Sequence, residues 1–169
     1  MKKRRILLLL FTVFLLLQLF QPERNITDDV AKTDIANLYD IPDSVNVLLA
    51  IACYDCHSNN TEYPWFTNIQ PIGWMLQSKI NEGKSHLNFS TFGDYPDSIA
   101  VKILEELKEE VTHKTMPIDM YRWINKESNL TEGDRKMITQ WAENLQQFIL
   151  QKNSPVADTS KVGSAYYSN

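Results

Sequence analysis

A chain of 169 residues with a formal net charge of −4 is sized for one core, and its only basic cluster stands at the amino terminus, which argues against a nucleic-acid partner. The mild acidity is no more than a hint of a basic docking partner. Two cysteines and three histidines in all, without a second cysteine pair or a His-x-His spacing, are too few for a tetrahedral zinc site.

Lys2, Lys3, Arg4 and Arg5 precede an apolar run, Ile6 to Phe20, interrupted only by Thr12 and Gln18. Positive charge stays on the cytoplasmic side, so the remainder is expected to be exported. The run is apolar on every side, which disfavours a helix buried in the domain by one face. Its length suits a signal peptide, yet Gln21-Pro22-Glu23-Arg24 offers no small-x-small cleavage site. An uncleaved anchor is therefore preferred over a cleaved signal, short though it is for a span, because flanking Lys and Arg can snorkel and the bilayer can thin. The expected division is a signal-anchor or signal peptide over 1–21, a tether over 22–41, a single folded domain over 42–150 and a disordered tail over 151–169.

The tether shows only a weak helical pattern in Asp28 to Tyr39. At Ile41-Pro42-Asp43 a helix can start, and Val45, Leu48, Leu49, Ala52 and Cys56 recur at three- and four-residue spacing. That helix delivers Cys53-Tyr54-Asp55-Cys56-His57, which contains both cysteines of the chain and has the form of a c-type haem attachment site. Residues i and i+3 share a helical face, so Cys53 and Cys56 can each form a thioether to one porphyrin while His57 turns its imidazole to the iron. A thioredoxin-like redox pair would need a preceding strand and a βαβ pattern, and neither is present.

Tyr63-Pro64-Trp65-Phe66 follows the ligand closely, and Trp65 and Phe66, with Trp74 further on, are expected to wall the haem, since a porphyrin is packed by large flat groups. Pro71 suits a first helical residue, Trp74, Leu76 and Ile80 an apolar face, and Gly83 a helix end. Leu87 to Ser90 reads as a short connector. Pro96 and Asp97 open a helix with Ile99, Ile103, Leu107 and Val111 as its stripe, Leu104 beside it, and Glu105, Glu106, Glu109 and Glu110 facing water. Met116-Pro117 places Met116 in extended chain after that helix. A last helix is expected from Glu132 to Leu150, capped by Thr131 with Asp134 and buried along Met137, Ile138, Trp141, Leu145, Phe148 and Ile149. No strand pattern competes, so the fold class is all-α, a small helical cytochrome c-like haem domain behind the N-terminal membrane segment.

Cys-Tyr-Asp-Cys-His-Ser-Asn at 53–59, Tyr-Pro-Trp-Phe at 63–66, Ile-Gln-Pro-Ile-Gly-Trp at 69–74, Leu-Asn-Phe-Ser at 87–90 and Met-Pro-Ile at 116–118 together resemble the small bacterial haem-binding domain family of exported monohaem c-type cytochromes. The resemblance spans about Asp43 to Leu150. It implies a mostly helical, often membrane-tethered domain with one covalent haem c, Cys53 and Cys56 as attachment residues, His57 as axial ligand and Met116 at the family's Met-Pro position. Relatives often carry a histidine at the position held here by Lys79; this chain has His86 seven residues later.

For the sixth ligand Met116 is preferred, with His86, His113 and an open site as alternatives. His57 with Met116 would make the protein an electron carrier, not an enzyme, working with redox protein partners and the membrane. A vacant distal side would make it a haem enzyme or ligand sensor, peroxidase-like or gas-binding.

Overall fold

The computed structural model describes residues 2–27 and 29–152, and among these every regular element is helical. Helix α1 (Lys2–Leu17) stands apart from the core, with no buried residue. The short α2 (Ile35–Leu38), α3 (Asp43–Ala52) and the single turn α4 (Tyr54–His57) lead into and form the cysteine motif. A 3₁₀ turn (Trp65–Asn68), α5 (Ile72–His86) and a second 3₁₀ segment (Phe89–Asp94) follow. Helix α6 (Asp97–Thr112), the short α7 (Asp119–Ile124), a 3₁₀ turn (Lys126–Ser128) and α8 (Glu132–Lys152) complete the chain.

The core is an antiparallel pair, α6 on α8, roofed by α3 and the Phe89–Asp94 segment. Ala100, Ile103, Leu104 and Val111 of α6 meet Ile138, Trp141, Ala142, Leu145 and Ile149 of α8, and Val45, Leu48, Leu49 and Ala52 of α3 close the layer. Polar groups fix the register of the pair. Gln146, buried in α8, donates to the Val101 carbonyl at 3.0 Å and to Glu105 Oε2 at 2.9 Å, and Lys108 pairs with both Glu105 and Glu143. The expected stripe of α6 is rotated slightly: Ile99 is exposed and Leu107 half-buried, while Ala100 faces the core.

Two expectations about helix ends meet different fates. Thr131 and Asp134 form the reciprocal box expected of them, with Asp134 N donating to Thr131 Oγ1 at 3.2 Å and Thr131 N to Asp134 Oδ2 at 2.8 Å. Gly83, expected to end α5, lies inside it; the helix runs on to His86 and closes with Leu87 N on the Gly83 carbonyl.

The segment read as a tether is packed onto the domain. Ile35 is fully buried in the core, Gly93 N donates to the Thr33 carbonyl at 2.9 Å, and Asn25 is threaded into the loop after His57. Helix α8 takes in Gln151 and Lys152; the rest of the expected tail, with Tyr166 and Tyr167, lies outside the described residues.

Candidate haem site

Cys53 to His57 is one helical turn set at an angle to α3. Cys53 leaves helical geometry at φ −128° and ψ −46°, ending α3, and its carbonyl then accepts from Cys56 N at 3.1 Å and His57 N at 2.9 Å. The two sulfurs are free thiols three positions apart on that turn. Burial pushes the Cys53 thiol up to about 12 and the Cys56 thiol to about 11. A redox-active dithiol needs a depressed value, so these sulfurs do not suit thiolate chemistry of the thioredoxin kind.

His57 is oriented from the next helix end. Its Nδ1 lies 2.9 Å from the Leu87 carbonyl, an acceptor only, so Nδ1 carries the proton and Nε2 keeps its lone pair for a metal. Burial also lowers the pKa of the imidazole, favouring the neutral, ligating form.

Gly83 explains how Leu87 comes so near. A Cβ there would stand 2.7 Å from the Cys56 carbonyl oxygen and 3.2 Å from Cys56 Cβ, so the absence of a side chain lets α5 rest directly on the Cys53–His57 turn. In sequence alone, a glycine at this point of a helical pattern reads as a stop.

The loop after His57 is held by polar groups from three sides. Asn25 Nδ2 donates to the Ser58 carbonyl and to Thr61 Oγ1, each at 2.8 Å. Asn88 Nδ2 donates to Asn59 Oδ1 at 2.9 Å, and Asn59 N to Ser90 Oγ at 3.1 Å. Tyr63 donates to Gln77 Oε1 at 2.7 Å and accepts from Asn25 N at 2.8 Å. Asn59, Asn88 and Ser90 thus secure the loop after His57, which gives the Ser58-Asn59 and Asn88-Phe89-Ser90 segments a physical role.

Asp55, between the cysteines, is the other tie. Its Oδ2 accepts from Tyr121 Oη at 2.7 Å and its Oδ1 from Glu62 N at 2.8 Å. Burial and this carboxylate raise the Tyr121 pKa, keeping the hydroxyl protonated as donor. Tyr121 belongs to α7, which begins three residues after Met116, so the methionine loop is fastened close to the Cys53–His57 turn.

Met116 itself is half-buried, before a cis bond to Pro117. Its N–H donates to the Glu110 carbonyl at 3.2 Å. Its carbonyl and that of Val111 each accept from Nη1 of the buried Arg135 at 2.9 Å, a clamp between α6 and α8 that no local pattern announced.

Of the remaining candidates, His86 stands close enough to His57 for its charge to bear on that imidazole. His86 and His113 are exposed at the ends of α5 and α6, and Lys79 is paired with Glu82 at 2.7 Å. Trp65 is exposed and stacks edge-on against the half-buried Phe66 at 5.9 Å, and Trp74 Nε1 donates to the Phe20 carbonyl at 2.8 Å. These three aromatics gather at the α1 end of α5; among the described residues their hydrogen bonds and ring contacts do not reach Cys53, Cys56 or His57.

An all-helical domain presenting two free thiols and an oriented neutral imidazole on one turn has the donor set of a haem protein. Comparison with protein families agrees: residues 12–144 match the haem-binding domain family, and the chain belongs to it. Haem is the ligand that this membership and the site share. No curated protein and no solved structure matches the chain.

Proposed function

We propose that the chain is a membrane-tethered c-type cytochrome that carries single electrons outside the cytoplasm, with one haem c joined to Cys53 and Cys56 and with His57 and Met116 as axial ligands. The observation that carries this reading is the turn Cys53–His57 with its imidazole held by the Leu87 carbonyl, which leaves the Nε2 lone pair for a metal. Bound haem supplies a one-electron ferric–ferrous couple.

The side chains around it determine how that couple is used. The hydrogen bond from His57 Nδ1 makes the imidazole a stronger donor. With haem bound, the soft thioether of Met116 would favour the ferrous state, raise the potential and keep oxygen or peroxide from the iron. Arg135 and the Glu110 carbonyl hold the Met116 backbone from both sides, so the thioether is presented with little freedom to leave.

A haem enzyme or gas sensor would want a distal hydrogen-bond donor. The exposure of His86 and His113 at helix ends favours the carrier over that alternative. Lys2 to Arg5 would remain cytoplasmic and α1 would hold the domain to the membrane.

The Met116→Ala holoprotein tests the axial assignment. It is expected to have a lower reduction potential than its parent and to bind carbon monoxide, which the parent ignores. A parent that binds carbon monoxide rapidly would contradict the carrier reading and favour the sensor.

A further inference from the structure

Helix α1 ends in a joint rather than a loose linker. The buried Gln70 donates from its backbone N to Gln18 Oε1 at 2.8 Å and accepts from Gln18 Nε2 at 3.2 Å. Its side chain donates to Gln21 Oε1 at 2.8 Å, and Trp74 Nε1 reaches the Phe20 carbonyl at 2.8 Å. These bonds fix the helix against the first turn of α5.

The surface around the joint is apolar. Leu19 is 75% exposed, Phe20 68% and Trp65 76%, and Ile69, Ile72 and Met75 are exposed with them. Ile72 and Met75 lie one turn apart on one face of α5. Single exposed apolar side chains are ordinary, but a group continuous with a helix that is apolar beyond Arg5 except at Thr12 marks a contact surface. On α1, every large apolar side chain from Ile6 to Leu16 is at least 40% exposed.

Among the described residues no helix is long and apolar enough to cross a membrane. The 12 residues of α1 that follow its basic cluster, 6–17, rise about 18 Å against a hydrocarbon thickness of about 30 Å. With Lys2 to Arg5 snorkelling at the far end, the shortfall of about 12 Å falls at the joint, where the domain's own apolar residues stand.

We propose that this face of the domain is a lipid-contact surface, seated in the headgroup region of the bilayer that α1 enters, with Trp65 as an interfacial aromatic anchor. The proposal rests on α1 being the membrane tether and adds that the domain itself touches lipid in a fixed orientation. Gly83, where α5 meets the attachment turn, lies about 16 Å along the helix axis from Ile72, so the haem end is left to soluble partners.

The test uses the full haem-loaded chain in vesicles of phosphatidylethanolamine and phosphatidylglycerol. An NBD fluorophore is attached through Ile72→Cys, Met75→Cys or, as an exposed control beyond α7, Lys126→Cys, with the unsubstituted chain as labelling background. At positions 72 and 75 the emission is expected to shift to the blue on adding vesicles and to be quenched by nitroxide-bearing lipid but not by iodide, with the reverse at 126. Labels at 72 and 75 as open to iodide as the control, on protein that floats with the vesicles, would overturn the surface and leave the tether standing. Shielding from both quenchers would overturn it in favour of a covering protein, such as a second copy. Protein that does not float with the vesicles would remove the tether and the surface together.

Discussion

A methyl group at position 83 would press on the Cys56 backbone, 2.7 Å from its carbonyl oxygen. Alanine is the better helix former by about 1 kcal/mol, but forcing two packed backbones apart costs about 1–3 kcal/mol, so the contact should win. Gly83→Ala is expected to lower the urea midpoint, and a variant as stable as its parent would contradict the close approach. The same residue shows what local sequence withholds. Cys53, Cys56 and His57 stand out in the sequence because their spacing is local, whereas Gly83 owes its identity to a turn 27 positions away. Leu87 was hidden for a related reason: it serves through its carbonyl, which every residue has. Asp55 was hidden because its partner, Tyr121, comes 66 positions later.

At the scale of elements, α8 was the most legible, since Thr131, Asp134 and the stripe from Ile138 to Ile149 are local signals, although Met137, expected in that stripe, is exposed. The capping box also sets a pH dependence. Hydrogen bonds from the Thr131 side chain and backbone hold the Asp134 carboxyl below its ordinary value of 3.8. A depressed carboxyl contributes stability that is fully present above the unfolded value and is lost as pH falls through the folded one. Asp134→Asn should therefore be less stable than its parent near neutrality, and the difference should shrink on acidification below about pH 4. Equal stability loss at pH 7 and pH 3 would contradict this role. The Arg135 clamp was illegible because nothing in a helix pattern says that a buried arginine will reach carbonyls at the end of another helix.

For the whole molecule, the largest revision concerns residues 22–41. A polar stretch without periodicity reads as a linker, yet Asn25 binds the ligand's loop and Ile35 fills the core, both through contacts that only tertiary structure supplies. Ile35→Ala is expected to cost about 2–5 kcal/mol in urea unfolding. A chain beginning at residue 42 should be less stable than one beginning at residue 22 by at least that much, and equal midpoints would restore the linker reading. Fold class, core helices and cysteine motif followed from pattern and spacing. The joint at Gln70, the packed tether and the site's supporting bonds did not, because each joins residues distant in sequence.

Everything proposed for function depends on a covalent haem on the turn from Cys53 to His57. The most direct measurement is the intact mass and haem stain of the denatured protein after expression in a host equipped for cytochrome c maturation. The account predicts one haem, retained on denaturation and lost from the Cys53→Ala, Cys56→Ala double variant. A colourless chain of unmodified mass, or haem that washes away when the protein is unfolded, would contradict it.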